Sequence, residues 1–477
     1  MTSVRPGGAG RLGSLLFAVC PLLGGCGSDP LPSTAPASVG AEVNASIGTV
    51  VSVTWTTTTP TIGYVSYGPT PSVELVVPLK EGEAATTDHT LTLLGLAPDT
   101  TYYYRVTTWD TPNVTAGQSE VKSVHTAPLP AGAPAVTAQS FEVLDEDGEA
   151  EKPLEAFVLV PFVGPESTTI GIVAPSGALV WYHTEARERR VTRARFSSDK
   201  TAVLYSAISD ATPADSEIVR VPLDGSAATA ISVPNLGEDF AVGAPLPSGE
   251  EGPLAVLLPD TRMIGGKAVT GDRIVELDAG TQSEVFSTFD CFDPDTSPGD
   301  GPASAWTAAS ALQIEGTGAY YLSLRNLSSI VKVNRATGEC DWILGDDAEG
   351  TLDLASKSTP FSHPGSFFAD SGALLVLDAD GDSSGSRMVA YDLDLEAKTA
   401  TESLAYAATP RIDVAEQGEA TLVLGHDVRI NWSNGSRMDV IDELGQLKWE
   451  LKVSSGERLG FHTSFRDLYA VKLEGNQ

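Results

Sequence analysis

Residues Tyr321 to Asp346 read YLSLRNLSSIVKVNRATGECDWILGD, and this stretch decides the fold. Apolar and polar residues alternate over YLSLR and again over IVKVN, and a third apolar run ends on Trp342. Short turns separate the three runs, and the second turn carries Gly338. Alternation bounded by turn residues is typical of half-buried antiparallel strands. The stretch therefore predicts three consecutive strands of one sheet.

The same unit of strands and turns occurs five more times in the chain. Successive copies start 46 to 58 residues apart. The six copies start at Ile172, Ile218, Ile274, Ile330, Met388 and Met438. A β-unit that recurs at about 50 residues is typical of a β-propeller, in which each unit forms one four-stranded blade. We therefore predict an all-β chain with a six-bladed β-propeller over residues 139–477.

The composition limits the classes of partner. The chain has 477 residues, a formal net charge of −33 and 42% hydrophobic residues, and these values suit two domains with a large core. A protein this acidic is repelled by nucleic acid and by anionic membrane surfaces. The excess of negative charge serves either solubility or a specific cationic ligand. We therefore expect no nucleic-acid partner.

The first 38 residues predict export. A positively charged start followed by the apolar run LGSLLFAVCPLLGG is the pattern of a signal peptide over residues 1–25, and the run is too short to predict a membrane span. Leu23–Cys26 resembles a bacterial lipobox, which would make Cys26 the lipidated first residue of the mature chain. Gly27 favours the outer membrane by resemblance to lipoproteins, and the lipid would be the one contact with the membrane. The alternative is an ordinary secretory signal. Residues 26–38 are rich in Pro, Ser and Ala and predict a tether.

Two cysteines remain once Cys20, in the signal peptide, and Cys26 are set aside. Cys291 follows the fourth-strand stretch EVFSTFD of one repeat, and Cys340 occupies the equivalent place one repeat later. In an exported protein, two such cysteines on adjacent blades predict a disulfide. The alternative is a pair of buried free thiols.

A smaller domain precedes the propeller. Residues 39–128 show short strands separated by Pro, Gly and Thr and no helical period, which predicts a small β-sandwich. Leu94–Val106, LGLAPDTTYYYRV, resembles the turn into the F strand of fibronectin type III domains. The resemblance implies a tyrosine corner in which Tyr102 bonds back to nearby backbone. A linker around Pro128 to Val136 leads into the propeller.

Three stretches of the propeller resemble the bacterial arylsulfotransferase (aryl-sulfate sulfotransferase) family. Ser323–Gly345 is similar to that family's run of Ser-x-Arg-Asn, a strand, a Thr-Gly turn and Trp-x-Leu-Gly. Phe361–Asp394 continues in register with the family's His-bearing stretch, and Asn431–Val453 is similar to its last blade. The resemblance spans roughly residues 170–470. It implies a six-bladed propeller behind an N-terminal β-sandwich, in agreement with the repeat spacing.

The resemblance also implies a reaction. In that family a histidine takes the sulfuryl group of an aryl sulfate and then passes it to a phenol. This chemistry needs a neutral imidazole as nucleophile and neighbouring groups that neutralise the sulfate oxygens. Arg325 stands at the sulfate-binding arginine of the motif, and its planar guanidinium suits a tetrahedral oxyanion. Arg325 and Asn326 are therefore the implied substrate-binding residues, and the alternative is an arginine paired with one of many carboxylates.

The transfer histidines of the family do not carry over. The family's His-x-Asn aligns with Ala308 and Ser310, and its transfer histidine aligns with Gly365. His363 lies two residues earlier, and a two-residue offset keeps the same face of a strand, so His363 is the candidate catalytic residue. The histidine that the family places in an early blade aligns near Thr192 or Arg193, in RVTRARFSSDK, where this chain has no match.

Two functions follow as hypotheses. The first is an exported lipoprotein of the arylsulfotransferase type, with an altered or lost activity toward a small aryl sulfate and a phenol. The second is a non-catalytic propeller that binds a carbohydrate, a peptide or an envelope protein. The first requires His363 to face the central channel beside Arg325, and the second does not. Whether the chain is an enzyme stays open at this point.

One acidic loop is a candidate metal site. Asp378, Asp380 and Asp382 alternate in DADGDSSGS, which is the spacing of a calcium loop, but the closing Glu of an EF-hand is absent. The two interpretations are a Ca²⁺ site and a solvated acidic turn. Apart from this loop, we expect no cofactor.

Overall fold

The computed structural model is built from strands throughout, as the alternating apolar pattern predicts. The structure describes residues 35–78, 84–111, 114–144, 148–151, 154–186, 188–245, 252–278, 281–345, 351–355, 358–370, 372–379, 385–423 and 427–469. Its helical segments are single 3₁₀ turns at Pro213–Asp215, Thr288–Asp290, Ala303–Ala305, Arg325–Leu327 and Ser433–Gly435. No helix in these ranges is long and apolar enough to cross a membrane. Cys26 and its lipobox lie outside the described residues.

The N-terminal domain contains seven strands in two layers. They are β1 Ala37–Val43, β2 Val51–Gly68, β3 Leu75–Val76, β4 Thr86–Leu93, β5 Thr101–Thr111, β6 Val114–Gln118 and β7 Lys122–His125. The long β2 belongs to both layers: its first half pairs with β1 and β4, and its second half pairs with β3 and β5. Strands β6 and β7 pair with β5. Residues that alternate inward along β2, such as Val53, Trp55 and Val65, fill the core between the layers.

The tyrosine corner is present. The backbone N–H of Ala97 donates a hydrogen bond to the hydroxyl of Tyr102 over 2.9 Å. Tyr102 is buried, so the bond satisfies its hydroxyl and fixes the turn into β5. The interpretation of Leu94–Val106 is therefore confirmed.

The rest of the chain supplies the strands of the propeller. In chain order they are β8 Val136–Ser140, β9 Phe157–Val163, β10 Ser167–Val173, β11 Leu179–Ala186, β12 Ala194–Phe196, β13 Ala202–Ala207, β14 Glu217–Pro222, β15 Thr229–Ser232, β16 Phe240–Val242, β17 Leu254–Ile264, β18 Lys267–Asp278, β19 Thr281–Ser287, β20 Ala309–Glu315, β21 Ala319–Leu324, β22 Ser329–Asn334, β23 Cys340–Gly345, β24 Asp353–Leu354, β25 Phe367–Asp370, β26 Ala373–Asp378, β27 Arg387–Asp394, β28 Thr399–Ala407, β29 Glu419–Val423, β30 Asp427–Asn431, β31 Arg437–Ile441, β32 Leu447–Val453, β33 Arg458–Leu459 and β34 Thr463–Phe465. They form six separate sheets.

Each of these sheets is one blade, so the six-bladed propeller is confirmed. Blade 1 contains β9–β11, and blades 2, 3 and 4 are β12–β15, β16–β19 and β20–β23. Blade 5 is β24–β28 and blade 6 is β29–β32. The six sequence repeats lie on β10, β14, β18, β22, β27 and β31, which are the third strands of their blades counted from the axis. The repeat therefore marks the same position in every blade.

The two ends of the propeller segment close the ring. The C-terminal β33 and β34 pair with β9 and provide the inner edge of blade 1, while the early strand β8 pairs with β32 as a fifth strand of blade 6. Arg429, on β30, crosses the seam between these blades. Its guanidinium donates to the carbonyl of Phe157 over 3.2 Å and to the hydroxyl of Ser464 over 2.8 Å. This pairing of the two ends of the segment closes the ring and leaves only the short outer edges of the blades.

A disulfide joins blades 3 and 4. Cys291 and Cys340 are bonded, with their Cα atoms 6.3 Å apart. The predicted bridge is confirmed, but the two positions are not equivalent. Cys291 lies after the last strand of blade 3, whereas Cys340 begins the last strand of blade 4.

The sandwich packs against blade 1 of the propeller. The hydroxyl of Tyr182, on β11, accepts a hydrogen bond from the backbone N–H of Gly48 over 2.9 Å. The hydroxyl of Tyr469 accepts one from the N–H of Leu94, also over 2.9 Å. Ile47, Val50 and Leu94 of the sandwich join the hydrophobic core of blade 1. The two domains therefore share buried apolar surface.

Candidate functional site

Two cavities lie along the axis of the propeller, where each blade presents its inner strand. The larger has a volume of about 840 Å³, and we call it the entry cavity. Loops leading into the inner strands line it, and they include Ala308, Gly365 and Gln417. The smaller, of about 270 Å³, is lined by the inner strands themselves, for example by Gln313 and Thr421, and we call it the inner cavity.

A buried ionic network lies between the two cavities. Arg193 donates through Nε and Nη2 to the two carboxylate oxygens of Asp239, over 2.9 and 3.0 Å, and through Nη1 to Glu419 over 2.7 Å. Glu419 also accepts hydrogen bonds from the backbone N–H of His462 over 2.7 Å and from the hydroxyl of Ser366 over 2.9 Å. Arg193, Glu419 and His462 are at most 3% exposed. The network therefore places ion pairs rather than apolar side chains in the wall of the inner cavity.

Every blade contributes to this network. Five blades contribute a side chain that lies beside or at the start of the inner strand. These are Arg193 of blade 2, Asp239 of blade 3, Ser366 of blade 5, Glu419 of blade 6 and His462 of blade 1. Blade 4 takes part through its backbone, because the N–H of Leu312 donates to Asp239 over 2.9 Å. The network thus bonds all six blades to one another at the axis.

The protonation states of the network follow from burial and charge. Burial alone would raise the pKa of Glu419, but the neighbouring Arg193 and His462 outweigh it and hold that pKa well below its ordinary value. Burial lowers the pKa of His462, and the carboxylate of Glu419, 3.0 Å from its Nδ1, offsets this only in part. Glu419 is therefore ionised and His462 neutral at neutral pH.

The ionic side chains of the entry cavity are mostly matched. Arg190 pairs with Glu238 over 2.7 Å and with Asp210 over 3.2 Å. Arg458 pairs with Glu416. Two further ionic side chains line the cavity, namely Arg325 and Asp272, and neither makes a salt bridge to another described residue.

Arg325 lies in the 3₁₀ turn between β21 and β22 of blade 4 and lines the entry cavity. Its Nη1 donates to the backbone carbonyl of His363 over 3.3 Å. The sequence alternative, an arginine neutralised by a carboxylate, does not apply within the described chain. The guanidinium retains donors for a ligand, since it has five N–H groups.

Three of the twelve non-glycine residues that have a positive φ in the described structure line the same cavity. Asn235, Ala308 and Gln417 line it and have positive φ angles of 62°, 45° and 57°. His363, next to Arg325, has a φ of 46°. Left-handed conformations cost non-glycine residues about 1–3 kcal/mol and cluster at functional sites. The side-chain Oε1 of Gln417 is also buried without a hydrogen-bond partner in the described structure. An unsatisfied buried acceptor of this kind lowers the stability of the fold.

The structure brings some of the predicted site residues together. Arg325, Ala308, Ser310 and Gly365 all line the entry cavity, so the alignment with the family places its positions in one site. His363 does not belong to the lining that the structure describes. Its imidazole Nε2 lies 3.8 Å from a carboxylate oxygen of Asp300, and its side chain is 24% exposed.

Asn326 has a structural contact instead of a place in the cavity wall. Its side-chain amide donates to the carbonyl of Ala305 over 2.7 Å, which fixes the turn that carries Arg325. Asn326 is not part of the cavity lining within the described residues.

The acidic loop is described in part. Asp378 is buried and accepts a hydrogen bond from Nε of Arg387 over 3.0 Å. Asp380 and Asp382 lie outside the described residues, so the predicted calcium loop stays a prediction. Across the ranges that the structure covers, no three His, Cys, Asp or Glu side chains form a group that could hold a metal ion.

The network of Arg193, Asp239 and Glu419 is absent from the sequence predictions. The stretch RVTRARF around Arg193 enters the sequence predictions only as the place where the family histidine is absent. A usable signal was available there, because Arg193 and Arg195 are two residues apart at the inner strand of a blade and therefore face the same neighbouring blade. Buried arginines need carboxylates, so acidic residues at the matching positions of other blades were to be expected.

Comparisons with known proteins identify the N-terminal domain. A family model described as the purple acid phosphatase N-terminal domain matches residues 36–126. The N-terminal domain is fibronectin III-like. The match covers the sandwich and not the propeller, so it assigns no family to the whole chain.

The solved structures that match do so at low similarity. One is a protein of unknown function from Bacteroides caccae, with 14% identity and a TM-score of 0.42, covering 66% of this chain and 100% of that one. Another is a putative 6-phosphogluconolactonase from Bacteroides fragilis, with 12% identity, a TM-score of 0.36 and coverage of 76% and 93%. A streptogramin B lyase has 12% identity, a TM-score of 0.35 and coverage of 67% and 88%. A search of curated proteins found no match. At these distances no function is assigned, and the arylsulfotransferase resemblance stays a prediction.

Proposed function

We propose that this protein is an exported, lipid-anchored propeller whose entry cavity binds a small organic anion through Arg325. The observation that carries the proposal is an arginine in the cavity wall that makes no salt bridge within the described chain. The chain has 63 acidic and 30 basic Lys and Arg residues, so an arginine has many carboxylates available. The entry cavity falls in the range of volumes that small-molecule sites have.

Binding accounts for the cavity better than sulfuryl transfer does. Transfer through a sulfohistidine needs an imidazole facing the bound sulfate. The described lining of the entry cavity contains Ala308, Ser310 and Gly365 where the family has its polar groups, and it contains no histidine. His363 contributes its backbone carbonyl to Arg325 rather than its ring to the cavity. The position of the sulfate-binding arginine is therefore occupied by Arg325, whereas the described lining offers no histidine for the transfer.

The test is binding of 4-nitrophenyl sulfate, measured by isothermal titration calorimetry. We expect Arg325→Ala to weaken binding at least about tenfold, because a hydrogen-bonded contact to a charged group contributes about 1.5–3 kcal/mol. Arg105→Ala removes the same charge from the sandwich domain and serves as the matched control. Equal affinity of wild type and Arg325→Ala would contradict the proposal.

The same ligand separates binding from transfer. We expect no release of 4-nitrophenol when the protein is incubated with 4-nitrophenyl sulfate and phenol. Release by the wild type that His363→Ala abolishes would overturn the non-catalytic function and favour the arylsulfotransferase hypothesis.

A further inference from the structure

The carboxyl group of Asp272 faces the entry cavity and is opposite in charge to Arg325. Among the described residues it has no cationic partner. Asp272 lies on β18 of blade 3 and lines the cavity. Its Oδ2 accepts hydrogen bonds from the hydroxyl of Thr307 over 2.6 Å and from the backbone N–H of Ala309 over 2.7 Å. Both contacts are neutral donors, so they orient the carboxyl group without neutralising it.

One short turn holds Asp272 and Arg325 in place. The turn consists of Thr307, Ala308 and Ala309, and its first and last residues bond Asp272. On the other side, the backbone N–H of Arg325 donates to the carbonyl of Ala308 over 3.2 Å. Ala308 has the left-handed φ of 45°, which an alanine adopts only at a cost. The turn therefore holds the carboxyl group of Asp272 and the residue Arg325 in the same part of the cavity wall.

The remaining charges of the cavity do not supply a partner for either group. Arg190 is engaged by two carboxylates, and Arg458 is engaged by Glu416. Among the described lining residues, three arginines face four carboxyl groups, so the cavity has an excess of negative charge once Arg325 is engaged by an anion. A second group on the ligand would need to be a cation or a strong hydrogen-bond donor.

We propose that the ligand of the entry cavity is zwitterionic, with an anionic group bound by Arg325 and an ammonium group bound by Asp272. This inference rests on the proposed function and adds the class of ligand. Burial and the nearby Glu238 raise the pKa of Asp272. An ammonium group at hydrogen-bond distance would favour its ionised form and remove an unpaired carboxyl group from the cavity wall.

Two aryl sulfates that differ by one aminomethyl group test the inference. Tyramine O-sulfate carries both charges, and 4-methylphenyl sulfate carries the sulfate alone. By calorimetry at neutral pH we expect the wild type to bind tyramine O-sulfate about tenfold more tightly, since a close charge pair in a partly buried site contributes at least that much. In Asp272→Asn, which keeps the shape and the acceptor for Thr307 and Ala309, we expect the ratio of the two affinities to fall to about one.

The outcomes distinguish this inference from the function on which it rests. Binding of 4-methylphenyl sulfate without a preference for tyramine O-sulfate would overturn the zwitterion and leave anion binding intact. A preference that persists in Asp272→Asn would overturn the role of Asp272. Absence of binding for both ligands in the wild type would overturn the proposed function itself. If Asp272→Asn does not fold, as judged by tryptophan fluorescence, the wild-type ratio decides.

Discussion

Glu419 joins four blades through the buried ionic network. It lies at the start of β29, and its two oxygens together receive hydrogen bonds from Arg193, Ser366 and the backbone of His462. Glu419→Gln keeps the volume of the side chain but replaces one acceptor oxygen by an amide NH₂. That NH₂ must face either the guanidinium of Arg193 or the N–H of His462, both of which are donors. The substitution therefore breaks a buried ion pair and places the new NH₂ donor opposite another donor.

Removing one partner of a buried pair typically costs about 3–5 kcal/mol, because the other charge stays buried without compensation. Arg193 keeps its two bonds to Asp239, so we expect the lower end, about 3 kcal/mol. The assay is urea unfolding at pH 7 followed by tryptophan fluorescence, since Trp181, Trp306 and others are fully buried in the propeller. Glu396→Gln, in an exposed turn, is the matched control. A loss below about 1 kcal/mol, or equal to that of the control, would refute the view that the network stabilises the ring.

The depressed pKa of Glu419 also predicts how this stabilisation depends on pH. A carboxyl group whose pKa is lower in the folded state contributes stability above its unfolded value of 4.5, and this contribution is lost as the pH falls toward the folded pKa. The difference in unfolding free energy between wild-type and Glu419→Gln proteins should therefore shrink between pH 6 and pH 3. Both proteins should carry His462→Gln, because burial lowers the pKa of His462 and this residue would add a pH dependence of its own. A difference that grows as the pH falls would contradict the sign of the shift.

Two further predictions concern the disulfide and the tyrosine corner. Replacing Cys291 and Cys340 by serine opens a loop of 49 residues, and the chain-entropy relation predicts a loss of about 4 kcal/mol in the free energy of unfolding. The loss is measured from the urea transition of the propeller. A midpoint equal to that of the oxidised wild type would contradict the prediction. Tyr102→Phe leaves the N–H of Ala97 without its acceptor and should lower the stability of the sandwich by about 1–2 kcal/mol in thermal unfolding. The control Tyr103→Phe, on the other face of the strand, should lower it less. Equal losses would contradict a stabilising tyrosine corner.

The fold could be predicted because the repeat is local. Each copy of the unit spans two or three strands joined by short turns, so its alternating pattern and its turn residues lie within one window of sequence. The closure of the ring could not be found in this way. Blade 1 takes its inner edge from β33 and β34 and its other strands from β9–β11, almost 300 residues earlier. The strand β8 begins at Val136, where the predicted linker ends, and it went unrecognised because its pairing partner β32 is just as distant.

A sequence motif singled out Arg325, which lines the entry cavity, whereas the ion pairs of the buried network could not be predicted from sequence. Arg325 lies within one recognisable run, and its position in the cavity agrees with that run. Arg193, Asp239 and Glu419 come from three blades, and nothing in the sequence near any of them shows which carboxylate meets which guanidinium. Only the arrangement of inner strands around the axis brings these side chains within hydrogen-bond distance.

The missing imidazoles of the entry cavity reflect its backbone as well as its side chains. A Cβ atom added at Gly365 would lie 2.5 Å from the carbonyl oxygen of Gly418, so no side chain fits there unless the loop before β29 moves. A histidine at position 365 would therefore not fit this backbone without a shift of that loop. Arg325 and Asp272 line the described cavity wall without a salt bridge, and the proposed binding role rests on these two side chains.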